Sequence, residues 1–255
     1  MIDLLAIPFL ACILLTLIHV YFGSFVLRRG ILFIDLALAQ WAALGYMVGH
    51  YYGVHHPTAL FLMAFSFTVF AGALLSVLKP IFDRVHLQEA LIGVLYIFAT
   101  AFATALLSST GMEASHLKEM LSGHLLFLQV KELGISCLLY LGVAVFLYRF
   151  HHSFLKGSKA SDFLFYLLFG LVVTSSVKMV GILLVFSFLV IPVLTISLFT
   201  DTLKTQVFYG TMLGVVASLM GLSMSFLIDI PPSFLVIFAL SFCLFLGVLK
   251  KAFLK

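Results

Sequence analysis

The sequence predicts an all-α protein, a polytopic bundle of transmembrane helices. Of its 255 residues, 64% are hydrophobic and 9% are charged, and its mean hydropathy is +1.25. A soluble domain carries about 25% charged residues, so this chain has too few charges to cover a globule in water. Its apolar runs are continuous, and lipid offers the backbone no hydrogen-bond partners, which favours helices. The high hydrophobicity argues against disorder, and the sparse net charge of +4 argues against nucleic-acid binding.

Nine apolar runs come close to the length of about 20 residues that crosses a bilayer as a helix. They cover residues 4–27, 31–52, 58–79, 88–109, 131–150, 162–178, 180–200, 205–228 and 232–250. The stretch 162–200 could also form one long span, which would make eight spans in total. We expect the whole chain, residues 1–255, to form a single transmembrane domain.

Positively charged residues predict how these spans are oriented. Short cytoplasmic loops are enriched in Lys and Arg. With the N-terminus outside and the C-terminus in the cytoplasm, eleven of the fourteen Lys and Arg side chains fall on the cytoplasmic side. Only Lys118, Lys131 and Lys178 then lie outside. This asymmetry supports both the odd number of spans and the orientation.

Asp35 is the first candidate for a functional residue, because it lies a few residues into the second span. A carboxylate at that depth costs a few kcal/mol, so it normally faces the bundle interior and has a role. Gln40 follows about 140° around the helix, so both side chains could line one pathway without forming a tight chelate. The alternative for Asp35 is a structural hydrogen bond to a neighbouring helix or to the Arg28 and Arg29 end of the first span.

Imidazole and carboxylate groups on the predicted outer side form the second group of candidates. They include His50, His116 and Glu119. His116 and Glu119 are three residues apart, so one helical face could present both. These groups are ligands that divalent transition metals prefer. Ordinary polar residues at a water interface are the alternative.

Two further features concern the seventh span and the energy source. Pro192 lacks a backbone N–H, so it should kink or interrupt its helix.

The chain contains no GxxxxGK[ST] motif, the phosphate-binding loop of many ATPases. Any uphill process would therefore draw its energy from a partner subunit or an ion gradient.

Five motifs follow one another in an order typical of one family. The first consists of Arg28-Arg29-Gly30 and residues 35–45. The motif that matches the family best begins with Gly181-Ile182-Leu183-Leu184-Val185 and continues to Pro192. The other three are residues 89–94, 120–126 and 225–232. Together they resemble the permease subunit of the bacterial zinc, manganese and iron ABC importers, the ABC-3 family. The likeness covers most of the chain.

The resemblance implies a multi-pass permease in the cytoplasmic or inner membrane of a bacterium or archaeon. Such a permease pairs with itself and works with a cytoplasmic ATPase and an extracytoplasmic metal-binding protein. It has no enzymatic activity of its own and no permanently bound cofactor, and the divalent metal is its cargo. The candidate metal pathway is then Asp35, Gln40, His50, His116 and Glu119.

Two departures from the family pattern concern the cargo and the ATPase. The family's second span offers an Asp and a His one turn apart, whereas this chain has Leu36 and Gln40 at those positions, with Asp35 one residue away. The family's acidic cytoplasmic segment after the fifth span is replaced by a short basic loop. Its candidate ATPase contacts are Arg149, His151, His152, Lys156 and Lys159.

Three other functions remain compatible with the sequence. A permease for a metal chelate, such as a siderophore or corrinoid, needs a wide apolar passage and no protein ligands, which would suit Gln40 in place of a His. A membrane-embedded enzyme or sensor would need catalytic pairs at membrane depth. A gradient-driven carrier would transport without any ATPase.

Overall fold

A computed structural model describes residues 2–83, 87–110, 123–156, 159–228 and 230–253. This described part contains nine α-helices and no strand, which confirms the all-α prediction. A short 3₁₀ turn, Leu125–Phe127, precedes the fifth helix. The α-helices are α1 Ile2–Arg29, α2 Ile34–Tyr51, α3 Pro57–Asp83, α4 Gln88–Thr110, α5 Val130–Lys156, α6 Lys159–Val180, α7 Ile182–Ser197, α8 Leu203–Ile228 and α9 Pro232–Phe253.

Seven of these helices are long and apolar enough to cross a membrane. The two exceptions are α2, whose 18 residues include Asp35, Gln40 and His50, and α7, which is apolar but only 16 residues long. The nine helices therefore match the nine apolar runs. That all nine cross the membrane, and that the N-terminus lies outside, stay predictions.

The stretch that the sequence left open, residues 162–200, forms two helices that separate at Gly181. Gly181 has φ +81°, a conformation that residues with a side chain rarely adopt. The backbone of Gly123 approaches Val180 and Gly181 so closely that no side chain would fit at position 123. In contrast, α7 runs through Pro192 to Ser197. The break in this stretch therefore lies at Gly181, and α7 is not interrupted at Pro192. A membrane helix tolerates the loss of the one backbone hydrogen bond that a proline removes, and a kink at Pro192 stays a prediction.

The chain divides into two compact units. The first comprises Met1–Gly30, Leu121–Leu138 and Lys178–Lys255. In it, α1 packs against α7 and α8, and α9 packs against the same two helices. Small residues allow these close approaches; a side chain at Gly221, for example, would begin 2.5 Å from the backbone of Val236.

The second unit comprises Ile31–Met120 and Leu139–Val177. In it, α2 packs against α3 and α4. Gly45 and Gly49, four residues apart, bring α2 against the backbone and side chains of α3. The Trp41 indole donates a hydrogen bond to the Leu95 carbonyl of α4 at 3.2 Å. The single domain predicted over residues 1–255 stays a prediction.

Candidate functional site

The Asp35 carboxyl group is buried in the first turn of α2, with 1% of the residue exposed. The backbone N–H groups of Asp35 and Leu36 lie against it. This is the position where the helix dipole favours a negative charge. Its Oδ1 atom is buried and has no hydrogen-bond partner among the described residues. The expected burial of Asp35 is therefore observed, and one carboxylate oxygen keeps its full capacity as an acceptor or ligand.

Glu89 ties α4 to the turn that leads into α2. Its Oε1 atom accepts a hydrogen bond from the Leu32 N–H at 2.8 Å. This bond satisfies a backbone donor three residues before Asp35, in a part-buried position. Sequence reasoning did not assign this role to Glu89. The available signal was an acidic residue in the first turn of an apolar helix, and that signal does not identify the partner.

The other two described pathway residues also lie on α2. Gln40 is half-buried. His50 is in the last turn, half-buried, with its ring centre 4.6 Å from that of Tyr46. A helix rises about 1.5 Å per residue, so the backbones of Asp35 and His50 are about 22 Å apart. The structure therefore places Asp35 and His50 at opposite ends of α2, too far apart to bind one ion together.

The remaining predicted pathway residues, His116 and Glu119, lie outside the described residues. Within the part of the chain that the structure describes, no three His, Cys, Asp or Glu side chains come close enough to hold a metal ion together. Asp35 could supply one oxygen ligand to a passing ion. A complete metal centre is not present in these ranges.

A cavity of about 440 Å³ lies at one end of the first unit. Its wall is mainly apolar and comes from the 3₁₀ turn, the last residues of α8 and the turn into α9. The polar side chains in this wall are His124, Ser225 and Ser233. The Ser225 hydroxyl donates to the Ile230 carbonyl, which closes the turn between α8 and α9. The sequence analysis did not predict this cavity, although residues 120–126 and 225–232, which contribute to its wall, were among the motifs that resemble the family.

Residues 1–251 match the model of the family described as the ABC 3 transport family. The chain belongs to this family. It is an ABC permease, the membrane component of a transporter and not an enzyme. Membership in the ABC 3 family implies an ATPase partner and a substrate-binding protein.

Two solved structures share the helical fold of this ABC 3 permease. One is PsaBC from Streptococcus pneumoniae in complex with Fab, with a TM-score of 0.78, 18% identity, and coverage of 96% of this chain and 90% of that chain. The other is an inward-facing conformation of a proposed metal-chelate type ABC transporter, with a TM-score of 0.69, 17% identity, and coverage of 95% and 85%. No curated protein matches the sequence.

The predicted ATPase-docking loop of this ABC 3 permease is mostly helical. Arg149, His151, His152 and Lys156 lie in the last two turns of α5, and Lys159 begins α6. Arg149 is exposed and His151 is half-buried. The loop that we expected from residue 149 to 159 is therefore wrong, and only residues 157–158 separate the described helices.

A buried aromatic contact explains this difference. Phe154 is buried in α5, and its ring centre lies 6.0 Å from that of Phe165 in α6. Phe154 lies beyond the predicted end at residue 150, so this contact extends α5 past its apolar run. Whether the basic residues contact the ATPase stays a prediction.

Proposed function

We propose that this chain is the permease of an importer that moves a divalent transition-metal ion across the cytoplasmic membrane of a bacterium or archaeon. The observation that carries the proposal is the buried carboxyl group of Asp35. A carboxylate inside a membrane bundle costs a few kcal/mol, so its presence points to a role in transport. A bare oxygen at the N-terminal end of α2 is suited to bind a cation that passes through the bundle.

The ligand atoms of the candidate pathway favour the metal ions that prefer oxygen, among zinc, manganese and iron. Asp35 and Gln40 both offer oxygen ligands, and oxygen ligands suit manganese better than they suit softer ions. Gln40 replaces the imidazole that the family pattern predicts at this position. Manganese or ferrous iron is therefore the preferred cargo of this proposal.

The proposed energy source is a separate ATPase on the cytoplasmic side. The chain has no phosphate-binding loop of its own, and its family implies such a subunit. We further propose that two copies of the chain pair in the membrane and that an extracytoplasmic metal-binding protein delivers the ion.

Substitution of Asp35 by Asn tests the pathway. Asn keeps the size of the side chain and removes its charge, so we expect uptake of radioactive Mn²⁺ into vesicles that contain permease and ATPase to fall at least about tenfold. The amount of protein in the membrane should stay the same. Ser66→Ala is the control, because Ser66 is exposed and bonds only the Met63 carbonyl of its own helix among the described contacts. Normal uptake by the Asp35 variant would refute the assignment.

Charge removal at the end of α5 and the start of α6 tests the docking prediction. A triple alanine variant of Arg149, Lys156 and Lys159 should lose co-purification of the ATPase and ATP-driven uptake. Lys250 and Lys251, in the last turn of α9, provide the matched control as a double alanine variant. Equal loss in both variants would indicate a general charge effect and contradict specific docking.

A metal chelate is the second candidate cargo, and two observations favour it. The cavity of about 440 Å³ is much larger than a single ion requires, and one of the structures with a similar fold is a proposed metal-chelate type transporter. Competition between free Mn²⁺ and a ferric chelate for uptake separates the two. Uptake of the chelate alone would select this second function.

A further inference from the structure

The chain reverses sharply at the end of α2, and three backbone hydrogen bonds fix the reversal. Tyr52 donates to Val48 at 3.1 Å, Gly53 to His50 at 3.0 Å, and Val54 to Gly49 at 2.9 Å. Gly53 has φ +73°. The last two bonds and the left-handed glycine form a Schellman motif, a rigid way to end a helix. The motif fixes the direction of the chain up to Val54, the residue before His55.

This reversal brings a second imidazole to His50. The ring centres of His50 and His55 are 6.4 Å apart, and their planes meet at 60°. His50 is half-buried and contacts the Tyr46 ring on the same helix, whereas His55 is exposed. The pair thus consists of one anchored ring and one ring that can rotate in solvent.

We propose that His50 and His55 form a two-imidazole capture site for a divalent transition-metal ion, with water as the remaining ligands. Two imidazoles that share an ion, each through a bond of about 2.0–2.1 Å, hold their ring centres roughly 5–6 Å apart. The observed separation of 6.4 Å lies just above this range, and the exposed His55 ring would turn so that a nitrogen of each imidazole faces the ion. The C-terminal end of a helix also favours a cation.

This site is distinct from the buried carboxyl group of Asp35, which lies about 22 Å away along the same helix. Imidazole binds zinc, copper, nickel and iron well and binds magnesium poorly. In the predicted orientation the pair lies on the outer side, where it would hold the ion before it enters the bundle. This role in capture rests on the proposed function, whereas the binding itself does not.

Cobalt binding to the full-length chain in detergent tests the site directly. Co²⁺ has a visible absorption spectrum that reports nitrogen ligands, so it serves as the probe, with Zn²⁺ and Mg²⁺ as competitors. We expect His50→Ala and His55→Ala each to weaken Co²⁺ binding at least about tenfold, and Zn²⁺ but not Mg²⁺ to displace the probe. His56→Ala is the matched control, because His56 is the exposed neighbour of His55. Unchanged binding in His55→Ala, or an equal loss in His56→Ala, would overturn the proposal.

Uptake measurements separate this inference from the proposed function. Removal of His55 should lower Fe²⁺ and Zn²⁺ uptake at limiting metal and leave the rate at saturating metal unchanged. If Asp35→Asn abolishes uptake while the His55 variant binds and transports normally, the capture site is wrong and the proposed function stands. If the pair binds Co²⁺ but Asp35→Asn transports normally, the site stands and the Asp35 pathway fails.

Discussion

Replacement of Gly45 by Ala should push α2 away from α3 and lower the free energy of unfolding. A Cβ atom at position 45 would lie 2.7 Å from the Met63 carbonyl oxygen and 2.9 Å from the Ala64 Cα atom. Ordinary contacts begin at 3.4 Å, so the shortfall is about 0.7 Å. The atoms on the other side belong to the backbone of α3 and cannot rotate away, so the two helices must separate.

The magnitude follows from two opposing contributions. Overpacking costs about 1–3 kcal/mol, and replacement of a helical glycine by alanine recovers about 0.5–1 kcal/mol. The difference between these contributions is about 0–2.5 kcal/mol, and we expect Gly45→Ala to lower the free energy of unfolding by about 1 kcal/mol.

Two other glycines provide matched controls. At Gly49 the nearest atom, at 2.7 Å, is the Cδ2 of Leu60, a side chain that can rotate. The loss there should be smaller. At Gly93 no described atom lies within 4 Å of the added carbon, so alanine should stabilise the chain by about 0.5–1 kcal/mol.

Equilibrium unfolding of the purified chain in mixed micelles, followed by circular dichroism, measures these differences. The expected order of stability is Gly93→Ala, then the original chain, then Gly49→Ala, then Gly45→Ala. If Gly45→Ala proves as stable as Gly93→Ala, the tight contact between α2 and α3 is refuted. Because α2 carries Asp35 and His50, Gly45→Ala should also reduce uptake.

Two further predictions concern hydrogen bonds within the second unit. The Thr68 and Thr174 hydroxyl groups are 3.0 Å apart and buried. A double-mutant cycle with Val at both positions should therefore give a coupling energy of about 0.6 kcal/mol. If the effects of the two single substitutions are additive, this hydrogen bond is refuted. Glu89→Leu should cost about 1–3 kcal/mol in unfolding free energy, because it leaves the Leu32 N–H without its acceptor. Glu89→Gln keeps an oxygen acceptor, so its loss should be smaller, and an equal loss in the two variants would refute this role.

The ends of the helices show how far local sequence information reaches. The runs that begin at residues 88 and 232 coincide with the first residues of α4 and α9. The predicted end at residue 150 falls short, because Phe154 packs against Phe165 and extends α5 to Lys156. The α6 helix begins at Lys159, three residues before the predicted start at residue 162. Contacts between helices therefore decide where a helix ends when the flanking sequence is ambiguous.

The candidate site likewise has some features that local sequence predicts and others that depend on contacts between helices. The burial of Asp35 was predictable, because a lone carboxylate inside an apolar run must face the protein interior. The bond between Glu89 and Leu32 joins residues far apart in the chain, and no local pattern reveals it. The pairing of His50 with His55 was within reach, since Gly53 between them is a typical residue for ending a helix, but the histidines were not connected on that basis.

The sequence by itself determined that this protein is a helical membrane protein and where its helices lie. Lipid offers no partners to the backbone, so each apolar segment must satisfy its hydrogen bonds internally, and composition and length then suffice. Only the tertiary structure decided which glycines bring helices together, where the chain breaks at Gly181, and which polar side chains meet. These features depend on atoms from distant segments, and one-dimensional hydropathy contains no information about such contacts.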